Sequence, residues 1–127
     1  MKHYLLWLSL ILFIFPILCF GQKNPTIVFD KDVCDFGTVK YKPNSVIKIK
    51  FFYVNKGAGP LVIYNVDTSC DCTIPNWTKK PIPIGGRDYI SVVFKIKGKL
   101  GIIRKSIFVN TNCLKKEITL NIKGIVN

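Results

Sequence analysis

Ile47-Lys48-Ile49-Lys50-Phe51-Phe52-Tyr53 places Ile47, Ile49, Phe51 and Tyr53 on one parity and Lys48 and Lys50 on the other. Successive side chains of a β-strand point to opposite faces, so this stretch reads as a strand with one apolar face buried and two lysines in water. The pattern recurs along the chain. Ile90, Val92, Phe94 and Ile96 alternate with Ser91, Lys95 and Lys97. Ile107 and Val109 alternate with Ser106, Phe108 and Asn110, and Ile118, Leu120 and Ile122 with Thr119, Asn121 and Lys123. Residues 61–66 are apolar on both parities, as in a strand covered on both sides or near a sheet end. Val28-Phe29 and residues 36–39 supply the first one or two strands, and no long helical periodicity follows Gln22.

Turn residues separate these runs: Lys42-Pro43-Asn44, Gly57-Ala58-Gly59-Pro60, Gly98-Lys99-Leu100-Gly101 and Asn112-Cys113-Leu114. Glycine and proline supply the backbone angles that chain reversals need. The expectation is an all-β protein, an immunoglobulin-like antiparallel β-sandwich of about seven strands, with another small all-β fold such as an open barrel as the alternative. Residues 71–87 read differently. They hold Pro75, Pro81, Pro83, Gly85 and Gly86, which suggests a stiff, extended loop. Long ordered loops often carry function, so Asp71 and Trp77 are candidate binding-loop residues. The plainer reading of Trp77 is a cap on one end of the sandwich.

The first 21 residues read as an address. Lys2 precedes the apolar run from Tyr4 to Phe15, Pro16 interrupts it, and Gly21 ends the segment with a small residue. That is the form of a secretory signal peptide, residues 1–21, ahead of a single domain over residues 22–127. An uncleaved N-terminal anchor is the rival, and lipid attachment at Cys19 a weaker one, since Ile17 and Leu18 are not the small residues such processing favours. The expected location is exported, periplasmic or secreted. Of 127 residues, 127 − 21 = 106 remain after the leader, room for one domain. The net charge is +12, or 18 − 7 = +11 once Lys2 is removed. His3 and Met1 both lie in the leader, so the domain carries no Ser-His-Asp, Cys-His or His-metal chemistry of its own.

Four cysteines follow the leader: Cys34, Cys70, Cys72 and Cys113. An even count in an exported chain favours disulfides. A bond between Cys70 and Cys72 is expected to be strained, because side chains two apart on a strand point the same way but the ring between them is very small. Strand directions guide the choice. With residues 45–55 running up, 61–68 run down to Cys70 and Cys72. Residues 89–97 then run up and 104–111 down, so Cys113 arrives at the same pole, and Cys34 stands about 15 Å higher. The expectation is a bridge from Cys113 to Cys70 or Cys72. A copper or zinc site of Cys70, Cys72 and Cys113 thiolates is the alternative, against which stand the oxidising compartment and the lack of His and Met partners. Otherwise no cofactor is expected. Thiol exchange is weaker still, since Asp71 raises neighbouring thiol pKa values rather than lowering them.

Asp30, Asp32 and Asp35 surround Lys31 without a base partner and read as a solvated edge, and Asn76-Trp77-Thr78 as a chance match to a glycan acceptor. Lys48, Lys50, Lys95, Lys97 and Lys123 all take the solvent parity, a basic stripe if their strands are neighbours. Such lysines protect sheet edges and keep a domain soluble. They also attract anionic surfaces and polymers, whereas specific nucleic-acid recognition lacks interleaved aromatics.

Three segments together carry a resemblance: Cys34-Asp35-Phe36-Gly37-Thr38-Val39, then Phe52-Tyr53-Val54-Asn55-Lys56-Gly57 leading to Pro60-Leu61-Val62-Ile63, then Thr68-Ser69-Cys70-Asp71-Cys72-Thr73 with Pro75 and Trp77. With Pro83-Ile84-Gly85-Gly86 and residues 118–124, they resemble the bacterial secreted proteins catalogued as domain of unknown function 1573. That family is similar to immunoglobulin-like modules of the major sperm protein type. The resemblance implies a β-sandwich used for binding or scaffolding, with no established reaction. Two positions depart from it: Asp71 stands where the family usually has Gly, and Cys34 where an apolar or aromatic residue is common. The functional expectation is an exported, non-enzymatic module contacting an envelope protein or an anionic surface polymer.

Overall fold

A computed structural model describes His3 and residues 23–127, and apart from His3 the expected leader lies outside the described residues. Eight strands run through the described residues: β1 (Ile27–Phe29), β2 (Val33–Val39), β3 (Val46–Asn55), β4 (Ile63–Thr68), β5 (Thr73–Asn76), β6 (Arg87–Lys95), β7 (Gly101–Thr111) and β8 (Glu117–Val126). They form two four-stranded sheets, β1-β3-β6-β5 and β2-β8-β7-β4. The inward parities read from the sequence meet between them. Phe51, Tyr53, Ile90, Val92 and Phe94 from one sheet face Ile107, Val109, Leu120 and Ile122 from the other, and each is 2% exposed or less. Burying this apolar surface is what the alternation is for.

All pairings among the described residues are antiparallel but one. β2 lies parallel to β8, with Cys34 opposite Ile122 and Asp35 opposite Lys123. The cause is local. β1 pairs with the top of β3, and the chain then crosses to the second sheet at residues 30–32 and continues in the same direction as β2. Gly124 on β8 lets β2 approach closely: a Cβ there would overlap the Phe36 ring.

The strand the sequence reading lacked is β5. It occupies Thr73–Asn76, inside what was expected to be a loop, and pairs antiparallel with β6. Its presence reverses every later direction. With β3 up and β4 down, β5 runs up, β6 down, β7 up and β8 down. Two core clusters result. The larger holds Cys113 near the upper pole, and a smaller one at the lower pole groups Phe94, Ile96, Ile103 and Val126 with Cys72 at its margin.

Asn55, fully buried at the top of β3, ties the upper pole together. Its Nδ2 donates to the carbonyls of Gly59 (2.8 Å) and Ile82 (3.1 Å), while Oδ1 accepts from the N–H groups of Gly57 (3.0 Å) and Thr26 (3.3 Å). All four bonds of one amide are therefore made, the condition for burying it.

Candidate functional site

The lower pole carries the Cys-x-Cys segment. Cys70 and Cys72 are joined by a disulfide, with Cα atoms 5.2 Å apart, and this corrects the expected bridge to Cys113. The two cysteines are not strand neighbours. They sit in a turn closed by the Thr73 N–H donating to the Cys70 carbonyl at 3.1 Å, and the turn swings the side chains together. Thr68 braces it, its hydroxyl donating to the Cys70 carbonyl at 2.9 Å. Cys113 is a free thiol, buried beyond the end of β7 where Thr111 pairs with Ile63. Thr68, just before the Cys-x-Cys turn, pairs instead with Ile107, so the two sulfur sites lie at opposite ends of β4, roughly 17 Å or more apart. The three-thiolate metal set is thus not assembled in this structure. Among the described residues no three His, Cys, Asp or Glu side chains gather as a metal site.

Cys34 is the other free thiol among the described residues, half-buried on β2. Burial pushes its pKa up, Asp35 adds to the rise and Lys31 opposes it. Such a thiol is a poor nucleophile at neutral pH. Asp71 is exposed in the Cys-x-Cys turn, while Trp77 follows β5 at its far end. The expected single binding loop therefore divides in two, with a strand between. Trp77 packs against the larger core, its Nε1 buried without a partner among the described residues, and the Lys79 ammonium sits 2.9 Å from its ring centroid.

The basic stripe is assembled in part. β3 and β6 are neighbours, and Lys48, Lys50 and Lys95 share the outer face of their sheet, with Lys97 exposed just past β6. Lys123 does not belong to it: β8 lies in the other sheet, where Lys123 stands beside Asp35. The parity was right, but parity alone does not say which sheet a strand joins.

The sequence reading missed the aromatic part of the same face. Phe52 and Tyr89 are opposite each other on β3 and β6, 47% and 39% exposed, with ring centroids 5.6 Å apart. The Lys50 ammonium lies 4.5 Å from the Tyr89 ring centroid, a cation–π contact. Val46 and Ile74 add exposed apolar surface. The signal was present, since Phe52 interrupts the lysine parity of β3, but its partner Tyr89 appears only once the register is known.

A family profile described as Protein of unknown function (DUF1573) matches residues 27–126. The chain belongs to the DUF1573 family. No curated protein matches it by sequence. Among solved structures, this DUF1573 chain is similar to a protein of unknown function from Porphyromonas gingivalis W83, with a TM-score of 0.71 and 19% identity over 88% of this chain. It spans 51% of that protein. A PapD-like domain of human CEP192 superposes with a TM-score of 0.64 and 10% identity, covering 84% of this chain and 89% of that domain. WR4, a Caenorhabditis elegans member of the MSP family, gives 0.50 with 8% identity, covering 84% of this chain and 100% of that one. At these identities the likeness establishes the DUF1573 fold as immunoglobulin-like and PapD-like, and nothing about function.

Proposed function

We propose that this DUF1573 chain is an exported, non-enzymatic binding or scaffolding module of the cell envelope, and that it holds its partner on the outer face of the β1-β3-β6-β5 sheet. One observation carries the reading: the exposed Phe52–Tyr89 pair, with Lys50 against the Tyr89 ring and Lys48 and Lys95 further along the same face. The opposite face of the same sheet is fully used by the core, so the aromatic pair has no packing role within the domain. An aromatic centre with a charged rim is the composition of a protein-binding patch. The charge selects for an anionic partner, an acidic protein surface or an anionic envelope polymer.

The test measures retention of the chain on immobilised envelope fractions across a salt series. Phe52→Ala with Tyr89→Ala is expected to abolish retention. Lys48→Glu with Lys95→Glu is expected to weaken it and flatten its salt dependence. Retention unchanged by both pairs refutes the assignment of this face.

A further inference from the structure

β3 keeps part of one edge open. β1 pairs only with Tyr53, Val54 and Asn55, and the Asp30 N–H adds one bond to the Phe52 carbonyl at 3.0 Å. There the chain leaves for the other sheet, and no described strand pairs with residues 46–51 on that side. The bonds at both ends of β3 fix which backbone groups face the opening. Phe52 and Lys56 bond on the β1 side, whereas Ser45 and Asn55 bond toward Ile96, Gly85 and Gly86 around β6. Even-numbered residues therefore turn their N–H and C=O groups to the opening, which leaves Lys48 and Lys50 with unpaired backbone donors and acceptors. Their side chains point to the outer face. Ile47, Ile49 and Phe51 point between the sheets. Beside the edge lies a groove of about 520 Å³, lined by the apolar Val33, Cys34, Phe51 and Phe52, by Lys31 and Lys50, and by Asp30 and Asp35.

We propose that this open edge of β3 receives an extended peptide segment of alternating acidic and apolar residues, which adds a strand antiparallel to β3 in line with β1. The inference rests on the binding-module reading and narrows its partner to one class of peptide. In an antiparallel pair, residues opposite Lys48 and Lys50 share the outer face with them, and carboxylates there pair with the two ammonium groups. Residues opposite Ile49 and Phe51 point into the groove and are apolar. The acidic groups at the groove do not neutralise this selection. Asp30 is already paired with Arg87 at 3.1 Å, and Asp35 stands beside Lys123 on the other sheet. A second copy of the chain does not fit, because edge-to-edge pairing of two β3 strands sets lysine against lysine.

The probe is an acetylated, amidated nonapeptide of alternating Val and Glu carrying a fluorophore, titrated by anisotropy against the leaderless chain. It is expected to bind roughly tenfold more tightly than the same peptide with Lys for Glu, as two cross-strand charge pairs imply. Lys48→Glu with Lys50→Glu is expected to invert that preference. Methylating the amide nitrogens of the Glu residues is expected to abolish binding, and methylating those of the Val residues to leave it intact, since only the former meet β3. This contrast needs no change to the protein. Equal binding of the two methylated peptides, no charge preference, no binding at all, or a chain dimer formed through this edge each overturns the inference. If the probe fails while envelope retention still depends on Phe52 and Tyr89, the edge is refuted and the binding face stands. Loss of both refutes the reading beneath it.

Discussion

Replacing Asn55 by alanine removes four hydrogen bonds from the top of the sandwich. The losses are unequal. Ile82 keeps a second partner, since its carbonyl also accepts from the Leu61 N–H at 2.9 Å, but the Gly59 carbonyl is left without its 2.8 Å donor. Net losses near 1 kcal/mol per bond, with a larger penalty for an orphaned buried carbonyl, add to about 3 kcal/mol. For a domain of this size that lowers the melting temperature by roughly 12 °C. Asn55→Asp is the sharper test. It keeps the acceptor and puts a second carboxylate oxygen against two carbonyls, so the folded protein favours the protonated acid and raises its pKa above about 3.9. A raised acid binds its proton more tightly in the folded state, so stability falls as pH climbs from the unfolded pKa through the folded one. The deficit of Asn55→Asp against wild type, read from urea midpoints, is therefore expected to be large at pH 7 and to shrink at pH 4. An Asn55→Ala variant within 1 kcal/mol of wild type, or an Asn55→Asp deficit that ignores pH, refutes the role given to this amide.

Phe94, fully buried and stacked 6.1 Å from Phe36, is expected to cost about 3–5 kcal/mol on truncation to alanine, measured by urea denaturation. Gly124→Ala sets a methyl against the Phe36 ring and is expected to cost about 1–3 kcal/mol, most of it recovered when Phe36 is also made leucine. Thiol titration of residues 22–127 is expected to show Cys34 reacting first and slowly, faster as pH rises because burial and Asp35 hold its pKa up. Cys113 is expected to react only on unfolding, and Cys70 and Cys72 only after reduction. A mass-mapped link from Cys113 to either would refute the pairing. Because the bond closes so short a loop, Cys70→Ser with Cys72→Ser is expected to cost no more than about 1.5 kcal/mol.

The faces of the strands were legible because parity is a local property. Ile49, Phe51, Ile90, Val92, Leu120 and Ile122 are buried where alternation put them, and Lys48, Lys50 and Lys95 are exposed on the opposite parity. What parity cannot carry is sheet membership. Lys123 has the solvent parity but lies across the sandwich from Lys48, and Tyr89 meets Phe52 only through the register of β6 on β3. The apolar run at residues 61–66 fitted either a strand covered on both sides or one near a sheet end, and the second holds: β4 is an edge with Tyr64 exposed, its pairing broken by a register shift between Ile63 and Asn65. A bulge turns neighbouring side chains off the simple alternation, so the apolar residues fall on both parities without both faces being covered.

The misplaced cysteines have one cause, and it is a proline. Thr73-Ile74-Pro75-Asn76 reads as loop because proline removes a ladder donor. The structure shows why it does not break this strand. The Lys95 N–H donates to the Cys72 carbonyl at 2.8 Å, which sets the even-numbered residues of this segment bonding toward β6. Pro75 is odd, so the nitrogen that lacks hydrogen faces the open side of an edge strand, where no donor is needed. A proline at 74 would sit in the ladder, and the same argument would then exclude the strand. Strand direction is a running count modulo two, so omitting this one four-residue element inverted β6, β7 and β8 together and carried Cys113 from one pole to the other. In an antiparallel sandwich the error from a missed short strand is therefore global for every argument about which loops meet, while remaining invisible to every argument about which residues are buried.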